Sequence, residues 1–145
     1  MLRAREEGLP LPAATMLMSP FVDLALTGTS YVSNRDKDPF FDRDLVQGLV
    51  SGFLAGAADP SDPRVTPLHA DLTGLGPVCI QAGGDETLVD DARLFDEVAR
   101  KAGVDVRLDV FPGMLHTFQM AAGRAPEADD AIRRLAGWVR PRLGL

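Results

Sequence analysis

From Val78 onward the chain alternates apolar strands with amphipathic helices, and that rhythm leaves few folds open to it. Val78 to Ala82 is an apolar run that ends at Gly83-Gly84, and Val89 to Ala102 has helical spacing closed by Gly103. Val106 to Phe111 reads as the next strand and Glu127 to Arg140 as the next helix. Strand, helix, strand, helix predicts βαβα units on a parallel sheet with right-handed crossovers. An earlier strand, Ala14 to Ser19, is apolar until it meets Pro20 and reads as buried on both faces. Before it, Met1 to Glu7 is helix material stopped by Gly8, Pro10 and Pro12, without a cap. So short a helix is marginal alone, and the segment reads as the last turns of a longer one.

The middle of the chain is less regular. Asp23 to Pro39 is rich in Asp, Ser, Thr, Gly and Asn and reads as a loop. Asp42 or Asp44 then caps a helix whose apolar side runs through Leu45, Leu49, Phe53 and Leu54, up to Gly56. Asp59 to Pro77 carries four prolines and reads as irregular chain with one short helical turn. With 145 residues, 46% of them hydrophobic, one domain over residues 1–145 is expected, with 23–77 as a loop-and-helix insertion between the first two strands. A net charge of -6 excludes the clustered basic surface that nucleic acid or an anionic membrane requires. No apolar run reaches the length of a membrane span. The lone Cys79 sits in an apolar run and reads as a buried, inert thiol, which suits a reducing cytoplasm.

In an open α/β sheet, active sites lie outside the carboxyl ends of the strands. Two chemistry-bearing turns fall there: Gly83-Gly84-Asp85-Glu86 after one strand, and Pro112-Gly113-Met114-Leu115-His116-Thr117-Phe118 after the next. An acid and a histidine so placed are two thirds of a nucleophile, base and orienter triad. Only histidine titrates unperturbed near pH 7, and a buried carboxylate fixes its tautomer. Spacing alone leaves Asp85 and Glu86 both open as the acid; Glu86, Asp90 and Asp91 also suit the start of the following helix. His69, in the proline-rich stretch, reads as structural. A metal site built on His116, Asp85 and Asp90 would offer a single imidazole, which is poor ligation for zinc. No metal or other cofactor is expected.

Six segments resemble, in order, the hormone-sensitive-lipase-like group of α/β-hydrolase esterases and lipases. They are Gly8-Leu9-Pro10-Leu11-Pro12-Ala13-Ala14, Met18-Ser19-Pro20-Phe21-Val22-Asp23-Leu24, Asp38-Pro39, Ala58-Asp59-Pro60 with Asp62 to Leu68, Gly84 to Asp91, and Pro112 to His116. The resemblance implies the C-terminal portion of the α/β-hydrolase sheet, about three parallel strands with flanking helices. It makes Asp85 the triad acid, as the first carboxylate after the strand, and His116 the base of a serine carboxylesterase acting on a small-molecule ester. It sets Phe21, Val22 and Phe118 against the acyl or alcohol part of that ester.

The pattern departs from the family where the nucleophile belongs. None of the five serines, at 19, 30, 33, 51 and 61, lies in Gly-x-Ser-x-Gly, and no His-Gly-Gly-Gly loop occurs. Ser19 is the family's ordinary Ser-Pro. The first strand therefore has an open apolar edge, which implies a homo-oligomer or a complementing N-terminal portion. The other reading is a non-catalytic α/β binding or interaction module that needs a partner chain.

Overall fold

The computed structural model describes residues 1–56 and 58–145. Three parallel strands, β1 (Thr15–Met18), β2 (Val78–Gly83) and β3 (Val106–Phe111), form one sheet in the order β1-β2-β3. Thr15 lies opposite Val78, and Val78 opposite Val106, so the strands start level; β2 and β3 end together at Gly83 and Phe111, beyond the end of β1 at Met18. The helices are α1 (Leu2–Glu6), α2 (Ser30–Ser33), α3 (Arg43–Leu54), α4 (Val89–Lys101) and α5 (Pro126–Val139). The expected α/β architecture is therefore present, with β2 as the central strand.

β2 is buried at every position, and its alternation sorts the core into two layers. Val78, Ile80 and Ala82 face α4, packing with Val89, Ala92, Phe95 and Ala99 and with Val104 and Val106. On the opposite face Cys79 packs with Leu135 and Trp138 of α5, and Gln81 donates from Nε2 to the Ala131 carbonyl, 2.8 Å. Burial pushes the Cys79 thiol up to about 11, as expected of an inert buried cysteine.

β1 departs from its expected burial on both faces. Met16 and Met18 are 45% and 46% exposed, and Thr15 and Leu17 are half-buried. The reason is position: β1 pairs with β2 on one side only, and it is an edge strand of this sheet. Thr15 N and Ser19 N donate to Pro77 and Gln81 carbonyls of the β2 side, so the alternating Met16 and Met18 backbone groups point to the open edge.

α3 starts at Asp42, whose side chain accepts from Leu45 N at 2.8 Å, and ends through Ala55 and Gly56, both at positive φ. It buries Val46, Val50 and Leu54 in a second cluster with Leu24, Leu26, Tyr31 and Leu88. Leu45, Leu49 and Phe53, expected on the packed side, are exposed instead. Both stripes recur at every fourth residue, so the period fixes the helix without choosing its buried face.

The carboxylates expected to cap α4 serve longer connections. Asp91 is fully buried and accepts from Val22 N at 2.8 Å, Asp23 N at 2.9 Å and Tyr31 Oη at 3.2 Å. Asp90 accepts from Thr29 Oγ1 and Ser30 N, and the Ser30 hydroxyl accepts the Asp90 N–H in return. Segment 22–30 is thus fastened to the first turn of α4. Burial raises the Asp91 carboxyl from its ordinary 3.8 to about 6, against the opposing pull of the two backbone N–H groups.

The turns after β2 and β3 touch backbone to backbone. Gly84 N donates to Phe111 O at 2.8 Å and Asp85 N to Met114 O at 3.1 Å. A Cβ on Gly83 would sit 2.3 Å from Met114 O and 2.6 Å from Leu115 O, so the β3 loop crosses directly over that glycine.

Gly83→Ala is expected to destabilise the fold by about 1–3 kcal/mol, read by urea denaturation, because backbone rather than a flexible side chain must move. Asp91 adds a pH signature. Its carboxyl is raised in the folded state, so its contribution to stability is complete below the ordinary carboxylate range and is lost as pH rises through about 6. Melting temperatures of wild type and Asp91→Asn between pH 4 and 8 are expected to diverge across that window; parallel profiles would refute the assignment. At the open edge, Met16→Lys or Met18→Lys is expected to reduce self-association in sedimentation velocity, whereas a wild-type chain that stays monomeric at high concentration would exclude an edge-driven contact.

Candidate functional site

The site forms where the carboxyl ends of β2 and β3 meet. The close approach over Gly83 brings the loop carrying His116 against the turn carrying Asp85 and Glu86. His116 Nδ1 lies 3.2 Å from Glu86 Oε2, with the histidine side chain 19% exposed and the glutamate fully buried. The two groups are close but not aligned as a full hydrogen bond, and neither Glu86 oxygen has another partner among the described residues. Such contacts are commonly loose in an unliganded site and tighten around substrate.

Asp85, the acid expected from the resemblance, is not the carboxylate at the imidazole. Its side chain is 34% exposed and pairs with Lys37 Nζ at 3.2 Å, while Glu86, one residue later, points inward. The cause is the crossing loop: the Asp85 N–H is held by Met114 O, and the neighbouring residue takes the buried direction. Two adjacent carboxylates give no local signal of which one turns in.

His116 opens onto a groove of about 720 Å³ lined by Phe40, Phe41, Met114, Leu115, Phe118 and Met120, among others. The Phe41 ring meets the His116 ring edge-on, with centroids 4.8 Å apart. Phe118 lines the groove and packs on Phe111 at 4.9 Å. Phe21 and Val22 are not among the lining residues. Val22 is only 8% exposed and belongs to the α4-facing core, where its N–H is held by Asp91; Phe21 is 39% exposed. The aromatic wall from Phe40 and Phe41 was not read from the sequence. Its one local sign was the Asp38-Pro39 turn just before two adjacent phenylalanines.

Ser19 is structural. Its hydroxyl, 4% exposed, accepts the Thr117 N–H at 3.0 Å and ties the end of β1 to the histidine loop. Ser19 and Thr117 both sit at positive φ, a conformation costly for non-glycine residues and held here by their mutual bond. His69 lies in a short 3₁₀ turn, Pro67–His69, away from the groove lining. Among the described residues no three His, Cys, Asp or Glu side chains converge as a metal site. No helix among them is long and apolar enough to cross a membrane.

A buried carboxylate behind an imidazole, facing an apolar groove at the strand ends, can orient a general base and steady its charged form. Residues 1–120 match the family described as alpha/beta hydrolase fold. An acetyl-hydrolase of Streptomyces hygroscopicus is 37% identical over 140 residues, covering 97% of this chain and 46% of the relative. An esterase of Acinetobacter venetianus is 37% identical over 135 residues, covering 93% of this chain and 45% of its own length. Among solved structures, a hormone-sensitive lipase from a metagenome library superposes with a TM-score of 0.93 at 37% identity, over 98% of this chain and 48% of that one. An esterase from the bacterial hormone-sensitive lipase family does so at 0.93 and 40% identity, over 97% and 47%. The chain spans about half the length of the relatives it matches. It belongs to the α/β-hydrolase fold family, in the hormone-sensitive-lipase-like group of esterases and lipases.

Proposed function

We propose that this chain carries the base and the acid of a serine carboxylesterase, His116 and Glu86, with the serine and oxyanion donors supplied by the half of the family fold that these 145 residues do not span. The observation that carries this reading is His116 Nδ1 at 3.2 Å from the buried Glu86. A buried carboxylate with no other partner is costly, and an imidazole that becomes positive during reaction is the group that repays it. The acetyl-hydrolase and esterase names of the relatives agree with ester chemistry.

In this mechanism Glu86 holds the ring with its proton on Nδ1, leaving Nε2 free to take the serine proton as the oxygen attacks the ester carbonyl. The imidazolium is steadied by Glu86 and returns the proton to the departing alcohol. His116 then takes a proton from water as the acyl-enzyme is hydrolysed. The apolar groove, with Phe41, Phe118 and Met120, favours an ester with a hydrophobic acyl or alcohol part. The open edge of β1 is where the half of the relatives that this chain does not span would continue the sheet and bring the nucleophile to His116. The non-catalytic alternative gives no reason for a buried Glu86 that faces an imidazole and has no hydrogen-bond partner among the described residues.

The test is a fusion of this chain behind the nucleophile-bearing half of the Streptomyces acetyl-hydrolase, assayed on p-nitrophenyl esters. His116→Ala is expected to lower kcat on the order of 10⁶-fold and Glu86→Gln on the order of 10⁴-fold. Asp85→Asn is expected to leave it close to unchanged; the reverse ranking of the two acids would move the role to Asp85. Stoichiometric labelling of the 145-residue chain alone by a fluorophosphonate would overturn the absence of a nucleophile in it.

A further inference from the structure

Asp38 has no part in the chemistry above, yet it is 6% exposed and both of its oxygens are used. Oδ2 accepts from Thr87 N at 2.8 Å and Thr87 Oγ1 at 3.1 Å; Thr87 directly follows Glu86. Oδ1 accepts from Phe40 N at 2.9 Å and Phe41 N at 3.2 Å. One carboxylate therefore grips the turn that carries the acid with one oxygen and the aromatic wall of the groove with the other. The Phe41 ring in turn rests on His116. Asn34 reinforces the same junction, with Nδ2 donating to Gly84 O at 3.0 Å and Glu86 O at 2.9 Å.

We propose that Asp38 is a positioning residue that sets both Glu86 and Phe41 against the His116 ring, coupling the acid–base pair to the groove wall. The inference rests on the reading of His116 and Glu86 as base and acid. Four donors converge on Asp38, and an ionised carboxylate accepts all four. Asparagine at the same position keeps the shape but presents an NH₂ group to one of the two donor pairs. It must release either the acid turn or the groove wall.

The experiment uses the 145-residue chain labelled with ¹⁵N. Two readouts are followed: the downfield, exchange-protected Nδ1 proton of His116, and nuclear Overhauser contacts between the Phe41 and His116 rings. His69→Gln identifies the His116 signals, because the chain has two histidines. Wild type is expected to show both signals, and Glu86→Ala to lose the Nδ1 proton. Asp38→Asn is expected to lose at least one of the two while amide dispersion is retained, and Thr87→Val, which removes one bond of the four, to weaken them. If wild type lacks the Nδ1 proton, the pair is left to the fusion assay and the ring contacts decide here: Phe41–His116 contacts that survive Asp38→Asn unchanged overturn the role of Asp38. If wild type shows it, Glu86→Ala removes it, and Asp38→Asn keeps both signals, the role of Asp38 is refuted while the pair stands. Should Asp38→Asn not fold, Thr87→Val decides, and unchanged signals there overturn the proposal.

Discussion

The parts of this structure that matter for chemistry depend on buried carboxylates accepting backbone N–H groups. Segment 22–41 has almost no regular structure to satisfy its own main chain, only the single turn of α2. Asp91 takes the N–H groups of 22 and 23, Asp23 those of 25 and 27, and Asp38 those of 40, 41 and 87. Burial protects these bonds from competition by water, and it raises their strength in the low-dielectric interior. They turn a loop that would be mobile by composition into a wall of the site. The acidity of the chain is thus partly structural rather than a solvated surface.

That organisation explains why the carboxylate beside the imidazole is Glu86, one position after the expected Asp85. Strand ends, turns and the histidine loop were legible because glycine, proline and apolar runs punctuate them at fixed points. The direction of a side chain inside the turn was not legible, since it is set by a carbonyl of the next loop, Met114 O, contributed from 29 residues later and invisible to local pattern. The same holds for Asp90 and Asp91, which look like ordinary helix-start acids until segment 22–30 folds back onto them. Glu86, read as part of the same helix start, is instead the carboxylate behind the imidazole.

The sheet itself was recoverable from periodicity, and β2, α4, β3 and α5 lie close to their expected positions. What periodicity left undetermined was which surface is covered. α3 has two apolar stripes one residue apart, Leu45, Leu49, Phe53 against Val46, Val50, Leu54, and only the neighbours in Leu24, Tyr31 and Leu88 choose between them. β1 is as apolar as a strand packed on both faces but has a neighbour on one edge only. Val22, expected at the ester, is claimed by the core because Asp91 holds its backbone there.

The crossing over Gly83 sets a limit on how such a site can diversify. Because two main chains meet there without an intervening side chain, the spacing of imidazole and carboxylate cannot be adjusted by exchanging residues at the contact itself. Variation has to enter through the side chains of the walls, at Phe40, Phe41, Phe118 and Met120, which line the groove. A lineage built on this scaffold can therefore reshape the groove while the two main chains that carry the imidazole and the carboxylate keep the same crossing.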